Sequence, residues 1–583
     1  MNTASPFTKS ENFKSEYSCA VVRVGELTPV EGSDFLSKTN VFGTQIIVRK
    51  DDVKEGQIMI YAANETQLNE RFLSVNNLFE IGERDKNSNC DEVNKIMSQY
   101  EPVKNKILSL KEEIKRKKQK IEKLSKEISK INKKITSLTK SIAECDCEEE
   151  QTNLKNSQVN LELERKKKET YLEKLSIEVA SITSEKDKLA SDNKYIVDEA
   201  KKMCGFFNKY GRVKLITLKG EPSFGFLFHP DNLFKYDSTI SMEDIENYVG
   251  NEFDTINGEL FVKAYVPCIK DKSPKEKVSG KKGKNKKTFN RLATEFVFHY
   301  DTQQLQKSMH LLNKNSVVDI TPKVHGTSAI YSKTLVKRPL KLPLIKRIAN
   351  QFIDFSGLFK DFKTKDYELT YGSVYSSRRV IKNKYLSKNE EETIDIWGEF
   401  NRIIYPYLDE NMTVYGEIVG YETNTKKMLQ KNYDYGCDEG SNKLMIYRIT
   451  TNGKEWEIPE IREWSLNLIE KMKSNNDENF NRILPIPILY HGTLSELYDN
   501  VPDDDKWCEN MLTSMMNDKE NLGMELLEPL CKTHKVPREG IVLRIENDAH
   551  REAFKLKCTA FLQKESKMID DGEIDIEMVE AYS

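Results

Sequence analysis

The chain has almost no charge of either sign to spare: across 583 residues, Lys+Arg 91 stand against Asp+Glu 93, a formal balance of -2. An even balance excludes recognition of an acidic polymer by bulk charge, so any binding of nucleic acid must come from local patches. The ten cysteines are scattered, with only Cys145 and Cys147 close together. No paired CxxC spacing occurs that would build a zinc site, and the pattern fits a reduced, cytosolic protein. Long apolar runs are missing too. Met1 to Tyr17 is polar and lacks an apolar core flanked by basic residues, and no segment offers the ~18 uninterrupted apolar residues that a membrane span needs. The expectation is a soluble, untargeted protein in the cytosol of the producing or infected cell, with no membrane partner.

What is present falls into segments, and the length calls for several domains. After a flexible N-terminus (1–16), residues 17–95 read as short strands: Cys19 to Val24, Gly43 to Val48 and Gln57 to Tyr61, separated by turn signals at Glu31-Gly32-Ser33-Asp34 and Lys54-Glu55-Gly56. Residues 96–200 then change period. Ile107, Leu110, Ile114, Ile121, Leu124, Ile128, Ile131, Ile135, Leu138 and Ile142 form one seam interrupted by Lys117. Leu154, Leu161, Leu172, Leu175, Val179, Ile182 and Leu189 form a second, with Gln158, Arg165, Lys168 and Lys186 at intervening core positions. Two heptad helices joined by a short acidic connection predict an antiparallel coiled-coil hairpin, with arms of roughly 60 Å. Strand composition returns in 201–269, at Arg212 to Gly220 and Ser223 to Phe228. Neither half has enough strands to close alone, which predicts one OB-like β-barrel split by the helical insertion. Residues 270–291 form a Lys-rich linker, and 292–583 an α/β-patterned catalytic region, so the fold class expected is multidomain α+β.

The chemistry concentrates in that last region. Thr321-Pro322-Lys323-Val324-His325-Gly326-Thr327-Ser328 follows the apolar strand Val317 to Ile320 and places a lysine at a strand end before a glycine turn. Alone, such a tetrapeptide says little in a lysine-rich chain. In order after it come Val374 to Arg379, Met412 to Gly420, Lys443 to Ile449, Arg538 to Arg544 and Phe554 to Lys557. Glu417 and Glu539 each lie beside a glycine within an apolar strand pattern, a poor place for a carboxylate unless it holds a divalent metal or a ribose. Strand alternation points Lys555 and Lys557 to one face, where they could neutralise phosphate charge. A lysine attacks phosphorus only as the neutral amine, and nearby positive charge lowers its pKa. Arg378 and Arg379 both offer forked donors to a phosphate or a terminal ribose.

The order of these segments resembles motifs I, Ia, III, IIIa, IV and V of the covalent nucleotidyltransferase superfamily of DNA ligases, RNA ligases and mRNA capping enzymes. The resemblance implies Lys323 as the nucleophile that carries AMP, assisted by Lys555 and Lys557. It implies nucleotide contacts from Val324, His325, Gly326, Arg378, Glu417, Tyr447, Lys555 and Lys557, with Tyr447 as the aromatic that stacks on adenine. Glu539 and Glu417 would bind metal, and Arg378 and Arg379 the RNA end. Lys-x-His-Gly-Thr resembles the RNA ligase 2 type of motif I, and a barrel ahead of the catalytic domain resembles the Naegleria-type RNA ligases. The catalytic domain would then be an adenylyltransferase of ATP-grasp-like antiparallel sheets plus helices. Only Cys558 to Ser583 follows Lys557, too short a tail for the C-terminal OB domain of DNA ligases and capping enzymes. Many relatives have Glu immediately before the nucleophile, contacting the adenine amino group; here Pro322 stands there.

The implied activity is ATP-dependent sealing of RNA 3′-hydroxyl and 5′-phosphate ends, nicked or duplex-bridged, with Mg2+ or Mn2+. Sealing of DNA or mixed RNA/DNA nicks is an alternative, since no residue reads a 2′-hydroxyl unambiguously. A catalytically decayed scaffold that binds a protein partner through its coiled coil is another.

Overall fold

The computed structural model describes residues 5–267, 290–300, 302–356, 365–385, 395–546 and 552–571. Most of the Lys-rich linker therefore lies outside the described residues. The chain forms two compact units, Leu68–Arg212 with Asp231–Ser241, and the remainder. No described helix is long and apolar enough to cross a membrane.

The smaller unit is dominated by the hairpin. Its helices, Cys90–Ala143 (54 residues) and Glu148–Asp192 (45 residues), are longer than expected, about 80 and 70 Å at the helical rise. Ile107, Leu110, Ile131 and Leu175 are buried along the seam. Lys117, at the interruption, reaches Glu178 of the facing helix at 2.6 Å, and Lys168 reaches Glu127 at 2.6 Å. These cations sit in the seam because a partner carboxylate meets each across it.

In the larger unit, Phe226–Phe228, Ile58–Ala62, Cys19–Arg23 and Glu252–Phe253 form one antiparallel sheet in that order. It is knit from both sides of the helical insertion, and Ala20, Val22, Met59 and Tyr61 share a core with Ile46 and Val48 of a separate three-stranded sheet. The expected barrel is not closed: no sheet among the described residues returns on itself. At the open seam, Glu221–Ser223 meets Thr44–Arg49 through scattered bonds and no ladder: Phe224 N–H to Gln45 O at 2.9 Å, Ile47 N–H to Ser223 Oγ at 3.0 Å, and Gln45 Nε2 to Glu221 Oε2 at 2.9 Å and to the Pro222 carbonyl at 2.8 Å. Pro222 stands in that strand and has no N–H to give a ladder.

The region from Gln303 onward holds two larger sheets. The first runs Gln303–Gln304, Ala553–Lys557, Gly540–Ile545, Val317–Lys323, Tyr490–Thr493, and the second Tyr367–Ser376, Thr327–Pro339, Met412–Gly420, Asn442–Thr451, Lys454–Glu455. Both are antiparallel except for the parallel pairing of Gln303–Gln304 with Phe554–Lys555 and of Ile483–Pro485 with Leu444–Ile446. Near-continuous burial of Val318 to Thr321 and of Val414 to Gly420 reflects strands covered on both faces.

Candidate functional site

The strand Val317–Lys323 ends the first sheet's central ladder at Lys323, which pairs with Gly540, and Gly540 pairs in turn with Lys557 on the next strand. Lys323, Glu539 beside Gly540, and Lys557 are thereby brought to one level of three adjacent strands. Lys323 Nζ lies 2.6 Å from Glu539 Oε1, and Lys557 Nζ lies 4.0 Å from the same oxygen. Lys557 also meets Glu565 at 3.0 Å. Burial alone would lower its pKa, but Glu565 and Glu539 together raise it above the ordinary lysine value. Lys555 is two residues back on the same face and is paired with Glu16. Its ammonium pKa is lowered by burial, with Lys557 and Lys323 acting in the same direction against Glu16.

Beyond Lys323 the chain turns through Val324-His325-Gly326 into Thr327–Pro339. The His325 N–H donates to Tyr435 Oη at 2.8 Å, and Gln430 Nε2 donates to the Gly326 carbonyl at 2.6 Å. The His325 ring packs edge-on against Tyr433 and Phe561, centroids 4.9 and 5.0 Å away. A Cβ at Gly326 would collide with the Ile418 carbonyl oxygen and stand 2.8 Å from Glu417 Cγ. Glycine is what lets the turn close onto the Glu417 strand.

Glu417 is cross-strand from Ser328 and Met445 and is 8% exposed. One register shift falls beside it: Tyr415 pairs with Arg448 but Gly416 with Ile446. Tyr447 is the skipped residue of this bulge, a device that re-aims a side chain. Burial raises the pKa of the Tyr447 phenol, so it stays protonated.

Lys323, Val324, His325, Arg378, Arg379, Glu417, Tyr447, Glu539, Lys555 and Lys557 all line one cavity of about 680 Å³. That volume suits a nucleotide-sized ligand. Gly326 is not at its wall and acts through the backbone fit just described. Arg378 is half-buried and Arg379 exposed. The Arg378 charge also bears on Glu16, His299 and Tyr447, which places it deeper than its neighbour.

Several lining residues carried no signal in the sequence. His299 packs against Tyr447 and Tyr415, centroids 5.4 and 5.7 Å away. Burial, then the Arg448 charge, lower its pKa to about 3, so the ring is neutral. Arg448 lies 4.4 Å from the centroids of both Tyr300 and Tyr415 and pairs with Glu455 at 3.0 Å; Glu455 also pairs with Arg544. Alternation in the strands Asn442–Thr451 and Gly540–Ile545 could have hinted at buried arginines, but not at the shared carboxylate.

No family model and no curated protein matches the chain. Among solved structures it is similar to Naegleria gruberi RNA ligase with PPi, at TM-score 0.40 and 14% identity over 95% of this chain and 99% of that one. An arginine-to-alanine mutant of that ligase with ATP and Mn matches at TM-score 0.40 and 13% identity, over 94% and 98% of the two chains. A glutamate-to-alanine mutant with AMP and Mn matches at TM-score 0.41 and 13% identity, over 94% and 99%.

Proposed function

We propose that the chain is an ATP-dependent RNA ligase that joins a 3′-hydroxyl to a 5′-phosphate through a lysyl-AMP on Lys323. The observation that carries this reading is the register that brings Lys323, Glu539 and Lys557 together on a cavity also lined by Lys555, Arg378 and Tyr447. First, the neutral Lys323 amine attacks the α-phosphorus of ATP; an N–P bond forms, pyrophosphate leaves and the amine gives up a proton. Next, an RNA 5′-phosphate oxygen attacks the same phosphorus, freeing Lys323 and leaving AMP on the RNA end. Last, the 3′-hydroxyl attacks the RNA 5′-phosphorus, loses its proton and expels AMP. Each transfer is an in-line displacement, in which positioning and charge neutralisation supply most of the acceleration. Lys555 and Lys557 face the cavity to neutralise phosphate oxygens, and their positive field favours the uncharged form of Lys323 against Glu539, which at 2.6 Å favours the ammonium.

Glu539 and Glu417 fit a divalent cation such as Mg2+ or Mn2+. Glu539 is 2% exposed and its Oε2 accepts no hydrogen bond, with His325 Nδ1 3.6 Å away, which leaves a buried carboxylate oxygen with lone pairs to spare for a cation. Among the described residues no cluster of three or more His, Cys, Asp or Glu gathers. Two carboxylates with phosphate and water completing the shell is the pattern Mg2+ favours. A cation held there would neutralise charge building on the phosphates. Tyr447 would receive the adenine, with Pro322 offering only its backbone carbonyl to the base. The OB-like N-terminal sheets would grip the 3′-hydroxyl strand, and the hairpin would serve as a spacer or partner-docking arm.

Incubation with α-labelled ATP and Mg2+ or Mn2+ should label the full chain covalently, and Lys323→Ala should abolish the label. Nicked duplexes ending in an RNA or a DNA 3′-nucleotide then separate RNA sealing from DNA sealing. A decayed scaffold is disfavoured by the retention of Lys323, Glu417, Glu539, Lys555 and Lys557 at one cavity; absence of any wild-type adduct would favour it.

A further inference from the structure

The cavity already holds a negatively charged group that the reaction does not use. Glu16 lies on a single 3-10 turn, Ser15–Tyr17. The turn is pinned on both sides of it. Ser15 Oγ donates to Glu252 Oε2 at 2.7 Å, and Ser18 Oγ donates to Glu252 Oε1 at 2.8 Å. Lys307 donates to the Ser15 carbonyl and, at 2.5 Å, to Glu252. Lys307 and Glu252 are largely buried, with side chains 9% and 16% exposed. This anchorage leaves Glu16 little freedom, and its carboxylate pairs with Lys555 inside the cavity.

The surroundings of that carboxylate are cationic. Despite its burial, the Glu16 pKa is lowered by Lys555, Lys557 and Arg378, so it is an anion there. These are the same side chains that, on the ligase reading, hold the phosphates of the nucleotide. A phosphate and a carboxylate compete for one set of donors, because each cation has a limited number of N–H groups to give.

We infer that Glu16 is a built-in stand-in for the nucleotide's phosphate: it orients Lys555 before ATP arrives and must give Lys555 up when ATP binds. This rests on the ligase reading for the identity of the incoming anion, but not for the competition itself. Apparent affinity for any phosphate ligand is then reduced by the fraction of molecules in which Glu16 holds the lysine. Glu16 acts through Lys555, so it is a positioning residue.

The test uses the full chain with Glu16→Gln, which keeps shape and loses charge, and Glu16→Asp, which keeps charge and shortens reach. Lysyl-AMP formation is measured against ATP concentration, and binding of inorganic pyrophosphate by calorimetry without ATP. Glu16→Gln is expected to lower the KM for ATP ~3- to 10-fold with kcat unchanged, and to tighten pyrophosphate binding by a similar factor. Glu16→Asp should move both in the same direction by less. Unchanged or weakened pyrophosphate binding in Glu16→Gln overturns the inference, and a raised KM would instead make Glu16 a ligand of the nucleotide or its metal. Tighter pyrophosphate binding in a protein that never forms an adduct keeps the inference and removes the ligase reading. Adduct formation with an unaltered KM keeps the ligase reading and removes the inference.

Discussion

Glu539 is shared: its Oε1 lies 2.6 Å from Lys323 Nζ and 4.0 Å from Lys557 Nζ, while its Oε2 accepts no hydrogen bond. One carboxylate thus holds Lys323, balances a second lysine and turns its other oxygen toward His325 Nδ1, 3.6 Å away. Glu539→Gln removes the charge with little change of shape. On the ligase reading the rate of lysyl-AMP formation should fall by ~100-fold or more, because Glu539 would hold the cation that neutralises the phosphates; loss of its pairing with Lys323 alone would act the other way, by favouring the neutral amine. Glu539→Asp should recover part of the lost rate. Single-turnover adenylation beside a thermal melt checks this; a wild-type rate in Glu539→Gln at full folding would deny the residue its role.

Tyr447 is placed by a bulge rather than by ordinary alternation, and its ring is the aromatic face expected for the base. Tyr447→Phe keeps that face and should leave the KM for ATP near wild type. Tyr447→Ala should raise it about 10-fold, since stacking on a base contributes ~1–3 kcal/mol. The comparison distinguishes stacking from a hydrogen bond made by the phenol: an equal rise in both variants would assign the effect to the hydroxyl.

His299 is neutral in the folded protein, its pKa lowered to about 3, while an unfolded chain returns it to about 6.5. Between those values the unfolded state binds the extra proton, so stability contributed by this site is present above pH ~6.5 and is lost as pH falls toward 3. His299→Gln removes the titrating group. The wild-type curve of stability against pH should be steeper than that of the variant in this window, by up to about 1.4 kcal/mol per pH unit. Urea denaturation at pH 7, 6 and 5 measures the difference; parallel curves would show that His299 titrates alike in both states.

That Lys323, Glu539, Lys555 and Lys557 share one cavity was legible in the sequence because strand alternation and residue chemistry agree there. Lys323, Glu539, Lys555 and Lys557 sit on three strands whose register follows from short apolar runs, and all of them line the same cavity. The choice between Arg378 and Arg379 was not legible, since adjacent strand-end residues differ only in which one the fold buries. Glu16 could not have been found. Its link to Lys555 depends on a buried Ser15–Glu252–Lys307 network assembled from distant segments. Barrel closure failed as an expectation because strand count says nothing of whether the last ladder has its N–H groups, and Pro222 takes one away. In the hairpin the seam was readable from the heptads, but its ends were not, since polar residues at helix termini carry no apolar period.

The interruption of that seam makes a last prediction. Lys117 occupies an inward position between Ile114 and Ile121, half-buried like them, and is matched by Glu178 across the helix pair at 2.6 Å. The Glu178 bond raises the Lys117 pKa and lowers that of Glu178. A polar residue at one inward position characteristically fixes register at a cost in stability. Lys117→Leu should therefore raise the melting temperature of the hairpin and make it less sensitive to salt, because a solvent-accessible ion pair is screened and an apolar contact is not. Glu178→Leu alone should lower it, leaving the lysine among apolar neighbours, and Lys117→Leu with Glu178→Leu should restore or exceed the wild-type value. Thermal melts of the full chain followed by circular dichroism at 0.05 and 0.5 M salt (about 14 and 4 Å of screening length) read all three. If Lys117→Leu instead lowers the melting temperature, the ion pair stabilises the arm outright and is no mere register mark.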